Sequence, residues 1–187
     1  MKTDFLIIGS GIAGLSYAYK VAEHFRLKNE TVSVTIITKA NEDDSNTKYA
    51  QGGIAAVTKD SDSFESHIQD TLIAGDGLCD EAVVRMVIEK APERIQELID
   101  WGTNFDKNED GEYDLAKEGG HSDHRILHHK DLTGNEIERA LIHKVVTHPY
   151  ITILNHHFAI DLITQHHFGE KVSRKTENKE CYGAYVL

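Results

Sequence analysis

Asp4-Phe5-Leu6-Ile7-Ile8-Gly9-Ser10-Gly11-Ile12-Ala13-Gly14 stands almost at the start of the chain, and its reading decides the fold. Asp4 to Ile8 is a short, mainly apolar run that ends at glycine, the pattern of a strand buried on both faces. From Gly11 to about Arg26 the periodicity changes. Ile12, Leu15, Tyr19, Ala22 and Phe25 recur every three or four residues and form one apolar stripe of a helix. Thr31–Thr38 then reads as a second strand, rich in β-branched residues. Strand, glycine turn, helix and strand within about 40 residues make a βαβ unit, whose strands are parallel neighbours joined by a right-handed crossover. The fold class is therefore α/β and Rossmann-like, with a parallel sheet and flanking helices.

The glycines at 9, 11 and 14 have separate uses. Gly9 lets the strand turn sharply, Gly11 lets the backbone approach a pyrophosphate, and Gly14 lets the helix pack closely on the strand. The helix start supplies free N–H donors and a partial positive charge. GxGxxG alone is a weak signal, but here it follows an apolar strand and opens an amphipathic helix, the context that dinucleotide binding requires. The acidic residue expected at the end of the second strand is missing, and Thr38-Lys39 stands in its place. Three readings of Lys39 stay open: a site for the phosphorylated ribose of NADPH, a variant FAD site, or a solvated surface lysine.

Beyond Lys39 the pattern is mostly helical. Asp62, with Glu65 three residues on, reads as the cap of a helix carrying Ile68, Leu72 and Ile73. Glu81 to Trp101 is a longer helical pattern interrupted at Pro92, which predicts two helices or a kinked one. Asp110-Gly111 marks a hairpin turn within the acidic stretch Asn104–Tyr113. Thr133 and Glu136 form a capping-box pattern ahead of Ile137, Leu141 and Val145, and Pro149 stops that helix. Ile151–Leu154, Phe158–Thr164 and Tyr182–Leu187 read as strands. No linker or composition shift marks an internal boundary.

Composition narrows the function classes. Of 187 residues, 40% are hydrophobic and 27% charged, enough for a buried core and unlike a disordered chain. The net charge of −11 argues against nucleic acid or an anionic membrane as a partner, yet does not oppose a single pyrophosphate held by backbone N–H groups. No apolar run approaches the roughly 20 residues of a membrane span, and no basic-then-apolar leader opens the chain. Cys79 and Cys181 form no CxxC motif and suit a reducing cytoplasm. The histidines, including His121, His124, His128 and His129, lack the spacing to an acid that a zinc site uses, so no metal is assigned. There is no GxSxG elbow for a nucleophilic hydrolase.

A second segment, Asn46-Thr47-Lys48-Tyr49-Ala50-Gln51-Gly52-Gly53-Ile54-Ala55-Ala56, offers small residues and backbone donors suited to lining a flat ring. Downstream stand Glu118-Gly119-Gly120-His121-Ser122 and Arg125-Ile126-Leu127-His128. With Asp70-Thr71-Leu72-Ile73-Ala74-Gly75, Asp131-x-Thr133-Gly134 and His148-Pro149, these stretches run the length of the chain. Together they resemble the L-aspartate oxidases, within the succinate dehydrogenase and fumarate reductase flavoprotein family. The KEGGHS–RILH stretch is the specific one; the others are shared across the family.

The resemblance implies a role for each matched position. Ser10, Gly11, Ile12 and Ala13 would hold the FAD pyrophosphate, Lys39 would sit by the adenosine ribose, and Asn46 to Gly53 would run along the flavin. Succinate dehydrogenases carry a flavin-linked histidine where Asn46 stands, so the FAD implied here is non-covalent. Glu118 would pair with the ammonium of an amino dicarboxylate and orient it, whereas it would repel a dicarboxylate lacking nitrogen. The implied reaction is oxidation of L-aspartate to iminoaspartate by hydride transfer from Cα to flavin N5, with oxygen or fumarate as electron acceptor. Its product would feed quinolinate and NAD biosynthesis, with a hand-off to quinolinate synthase. The alternatives are a soluble fumarate reductase or succinate dehydrogenase flavoprotein, and a non-catalytic FAD- or NADPH-binding module. Family members are far longer than 187 residues. Residues 1–187 would then be the N-terminal part of the FAD-binding domain, incomplete on its C-terminal side, with the capping domain and C-terminal helical domain outside it. On its own this part would be inactive.

Overall fold

The computed structural model describes Met1 to Leu187. In chain order the elements are β1 (Phe5–Ile8), α1 (Ile12–Leu27), β2 (Val34–Ile37), β3 (Ile54–Ala55), α2 (Phe64–Ala74), α3 (Glu81–Asp100), β4 (Leu115–Ala116), β5 (Ile126–Leu127), α4 (Thr133–Val146), β6 (Ile151–Leu154), β7 (Ala159–Thr164) and β8 (Cys181–Val186). They fall into two compact units, one joining Met1–Ser45 to Ile142–Leu187 and the other being the contiguous stretch Asn46–Leu141. Neither crossing shows in the composition, because one lies in a polar loop and the other inside α4.

In the first unit, β1, β2 and β6 form a parallel sheet in that order, with Phe5 opposite Val34 and Val34 opposite Ile151. The βαβ expectation holds, and the two strands are neighbours. β2 is central and all four of its residues are buried. β1 departs from the expectation of burial on both faces. Ile7 is buried on one face, while Leu6 and Ile8 on the other are 36% and 52% exposed. Leu6 and Ile8 line a hollow of about 750 Å³ together with Leu154, Ile163 and Val186. α1 packs on the sheet through Leu15, Ala18 and Ala22. The buried stripe is narrower than the periodicity suggests, because small side chains lie where the helix comes closest to the strands; Ile12 stays exposed. β7 and β8 form an antiparallel hairpin.

In the second unit, β3, β5 and β4 make a small antiparallel sheet, with Ala56, Ile95, Phe105, Leu115 and Leu127 as its core. α3 is one continuous helix that contains Pro92, not two helices. Proline removes one hydrogen bond to the preceding turn, and the buried Ile88, Ile95 and Leu98 on either side hold the helix together across that gap. The Asp110-Gly111 turn forms as read, with Gly111 at φ 83° and Lys107 bridged to Tyr113.

Both expected caps differ from the sequence pattern. α2 is capped by Ser63, whose hydroxyl accepts from the Ser66 N–H, one residue after Asp62. At α4 the capping box does not close. Thr133 Oγ1 accepts from the His129 N–H, while the Glu136 carboxylate accepts from the Asn104 backbone and side chain and from Arg139. A fixed guanidinium and two amide donors outcompete a single N-cap N–H for a buried carboxylate.

That arrangement sets a pH dependence. The hydrogen bond from Arg139, assisted by those from Asn104, outweighs burial and holds the Glu136 carboxyl at about 2, well below the ordinary carboxylate range. A carboxyl lowered on folding adds stability above its unfolded pKa and loses it as pH falls toward the folded value. Glu136→Gln should therefore cost about 1–3 kcal/mol at pH 7, the lower part of the range reflecting the half-exposed Arg139. The difference from the parent should shrink between pH 4.5 and pH 2. Urea unfolding at pH 7 and pH 3 measures both, and an equal difference at the two pH values would contradict the assignment.

Candidate functional site

The glycine turn is built by backbone geometry. Gly9 takes φ 103°, a conformation open to glycine, and its N–H donates to the Ile37 carbonyl at 2.8 Å, tying the turn to β2. Ser10 is buried, and its hydroxyl donates to Thr38 Oγ1 at 3.2 Å. The N-cap of α1 is Gly11, which offers no side-chain cap, and the first turn has no acidic residue. A helix start left this way presents its positive end to an external anion. A Cβ at Gly14 would collide with the Gly9 carbonyl oxygen and stand 3.3 Å from Ile7 Cγ2, so helix and strand meet at van der Waals distance only because residue 14 is glycine. Ile12 and Ala13 are exposed at this end, and Lys39 is exposed two residues after β2. Thr38 is buried and committed to Ser10, which leaves the strand end without a carboxylate. These features fit a dinucleotide pyrophosphate.

Asn46 to Gly53 lies in the second unit as a turn followed by an irregular strip that bends at Gly52 before β3. Asn46, Tyr49, Ala50, Gln51 and Gly52 are exposed, Thr47 and Lys48 are half-buried, and the strip is fixed at both ends. The Gly134 N–H donates to the Ala50 carbonyl at 3.0 Å. A Cβ at Gly134 would strike the Thr47 carbonyl and come within 2.7 Å of that of Ala50, so the start of α4 sits directly against this strip. Gly53 is pressed onto β5, where a Cβ would collide with Ile126 and Leu127. An exposed strip anchored from behind is a surface against which a planar ring can lie.

Glu118 is exposed, and a Cβ built on Gly52 would lie 3.9 Å from Glu118 Oε1. The structure thus brings the carboxylate to the strip. Arg125, from the same motif, has a different environment. It is 1% exposed, and every one of its donor nitrogens is engaged. Nε and Nη2 donate to the two Asp62 oxygens at 2.8 and 2.7 Å, and Nη1 donates to Asp70 at 2.7 Å. The remaining directions meet Ser66, Ser122 and His121. A guanidinium with five donors so occupied has none left for a substrate carboxylate.

His67, buried behind this network, has its ring 5.5 Å from that of His121. Burial pushes the His67 imidazole below its ordinary value, and the charges of Arg125 and His121 add to the effect. His128 and His129 turn away to Asp106, at 3.4 and 3.3 Å. Asp62, Asp70 and Ser66 carry no local signature of this role. Their partners lie more than fifty residues away in sequence, and the capping pattern at Asp62 pointed elsewhere.

The FAD binding domain family matches residues 4–187. The chain is 54% identical over 184 residues to an L-aspartate oxidase, chloroplastic, of Oryza sativa subsp. japonica, covering 98% of this chain and 26% of that protein. It is 47% identical over 190 residues to an L-aspartate oxidase of Vibrio cholerae, covering 99% of this chain and 33% of the relative. Among solved structures it resembles an E. coli quinol fumarate reductase chain, with TM-score 0.77, 31% identity, and coverage of 87% of this chain and 27% of the other. It also resembles the Mycobacterium smegmatis Sdh1 complex in the apo form, with TM-score 0.80, 27% identity, and coverage of 98% and 30%. The chain spans about a quarter to a third of the length of these curated relatives. No helix is long and apolar enough to cross a membrane.

Proposed function

The chain belongs to the FAD binding domain family, and on that premise we propose that it is the cofactor-holding part of an L-aspartate oxidase. The observation that carries the substrate assignment is the Glu118 carboxylate beside Gly52, on the strip read as facing the flavin. A carboxylate there attracts the ammonium of an amino dicarboxylate and repels a plain one.

In this reading Gly9, Ser10, Gly11, Ile12, Ala13 and Gly14 hold the pyrophosphate through the open start of α1, and Lys39 serves the adenosine ribose. Asn46, Thr47, Lys48, Tyr49, Ala50, Gln51, Gly52 and Gly53 line the isoalloxazine. Bound FAD supplies the two-electron acceptor. Glu118 binds the substrate ammonium and turns Cα toward the ring, so its contribution is orientation and electrostatics. Asn46 cannot form the covalent flavin link, which makes the cofactor dissociable. The electrons pass on to oxygen or fumarate, and the imine goes to quinolinate synthase in NAD biosynthesis. We place the reaction in the cytoplasm, in keeping with the free thiols Cys79 and Cys181. The rice relative's name shows that a plastid also houses such a protein. Residues 1–187 are the N-terminal part of the FAD-binding domain in this reading. The capping and helical domains lie in sequence that the three- to fourfold longer relatives contain.

Two measurements on the purified, FAD-loaded full-length protein test the reading. Acid precipitation should leave all of the flavin in the supernatant, and aspartate should be oxidised in strong preference to succinate. Yellow colour retained by the precipitate, or a preference for succinate, would move the protein to the succinate dehydrogenase branch.

A further inference from the structure

Glu118 itself is exposed, on a turn with two glycines, Gly119 and Gly120, the second at φ 89°. The His121 N–H closes the turn on the Glu118 carbonyl at 3.2 Å. Two consecutive glycines have wide conformational freedom, so this turn does not hold a carboxylate in one place unaided. Its anchor is Ser122. All three polar groups of that residue are used: its N–H and hydroxyl meet Asp70 Oδ2 at 2.7 and 2.8 Å, its hydroxyl also meets Ser66 at 2.8 Å, and its carbonyl accepts from Lys117 Nζ at 2.9 Å.

Asp70 Oδ2 is therefore the shared point. It receives Ser122 twice and Arg125 Nη1 once, while Arg125 is clasped by Asp62 from the other side. Asp62 and Asp70 flank and belong to α2, so the turn is pinned to a helix at positions four and seven residues after Glu118. A buried ion pair of this kind is weak evidence for stability, since apolar residues often fill such space equally well. What it does supply is a single geometry.

We propose that Asp70, backed by Arg125 and Asp62, is a positioning residue for Glu118. It fixes the Ser122 peptide and with it the turn that carries the substrate-facing carboxylate. The proposal rests on the reading of Glu118 given above, and the test separates the two.

The test compares Asp70→Asn, Glu118→Gln and the double variant in the FAD-loaded full-length protein. For each, kcat/KM is measured for aspartate oxidation and for fumarate reduction, with flavin content as a check on folding. Asp70→Asn is expected to lower the aspartate rate relative to the fumarate rate by roughly ten- to a hundredfold, the cost of a misplaced orienting group. The double variant should fall no lower than Glu118→Gln alone, because a displaced carboxylate and an absent one are equally useless. If Asp70→Asn does not accumulate with flavin, Ser122→Ala, which removes only the hydroxyl contacts, should show a smaller loss in the same ratio. Equal loss in both reactions, multiplying losses in the double variant, or no change of ratio in Ser122→Ala would overturn the proposal. Glu118→Gln acting equally on both reactions would instead remove the premise about Glu118, and the proposal with it.

Discussion

Gly14→Ala should yield a protein that no longer retains flavin. The added methyl would lie inside the contact radius of the Gly9 carbonyl oxygen, 3.2 Å from the Gly9 carbonyl carbon and 3.3 Å from Ile7 Cγ2. Two of those atoms are backbone and cannot rotate aside, so α1 has to move away from β1 or the turn has to open. Overpacking costs about 1–3 kcal/mol and more where backbone must shift, which puts this site at the upper end. Either movement also displaces the N–H donors at the start of α1 from the position that the Gly9–Gly11 turn sets. FAD affinity should drop by roughly a hundredfold or more, an amount equal to about 3 kcal/mol. Flavin fluorescence titration reads it directly. Gly9→Ala is the informative comparison: nothing lies within 4 Å of its Cβ, and only the φ of 103° opposes it. That strain is worth about 1–2 kcal/mol, a milder loss. Affinity in Gly14→Ala within a few-fold of the parent would show that the helix start does not carry the pyrophosphate.

Glu118→Gln has the largest expected effect on turnover. Glutamine keeps the size and the oxygen but removes the charge, so the ammonium of aspartate loses a charge-assisted hydrogen bond worth about 1.5–3 kcal/mol. The expected fall in kcat/KM for aspartate is roughly 10- to 150-fold. Fumarate reduction should fall far less, because its substrate has no ammonium and gains from the lost repulsion. The exposure of Glu118 is consistent with the proposal, in which the pairing forms only when substrate is bound and displaces water. Steady-state kinetics with both substrates decides it, and equal losses would assign Glu118 to the flavin or to the fold.

The parts of this fold legible in sequence were those written in short-range patterns. Gly9, Gly11 and Gly14 together with the apolar period of α1 place β1, α1 and β2 in order, and their parallel pairing follows from the long helical crossover that joins them. What the pattern of β1 could not show was which neighbours it has. An apolar run reads the same whether one or both faces are covered, and Leu6 and Ile8 share the face of β1 that opens on the hollow. The caps failed for a related reason. Asp62 and Glu136 are both placed to cap a helix, and both are drawn off by arginines, Arg125 and Arg139, that bind two oxygens at once. Of the candidate site, the glycines and Glu118 were visible through their motifs. Asp70 and Ser122 matter through a contact spanning 52 residues, and no local spacing records it.

The sheet order also governs when each part of the molecule is able to form during synthesis. β2 takes its second neighbour, β6, from more than a hundred residues further along the chain. At about 5–20 residues per second, β6 leaves the ribosome roughly 5–25 s after β2, and for that interval the most buried strand of the protein has one open side. The stretch Asn46–Leu141 is contiguous and contains all of its own core, so it is complete before β6 has been made. β1 and β2 are thus enclosed only after that stretch is complete, and the nascent chain carries the Val34-Thr35-Ile36-Ile37 segment without its second neighbour while more than a hundred further residues are added.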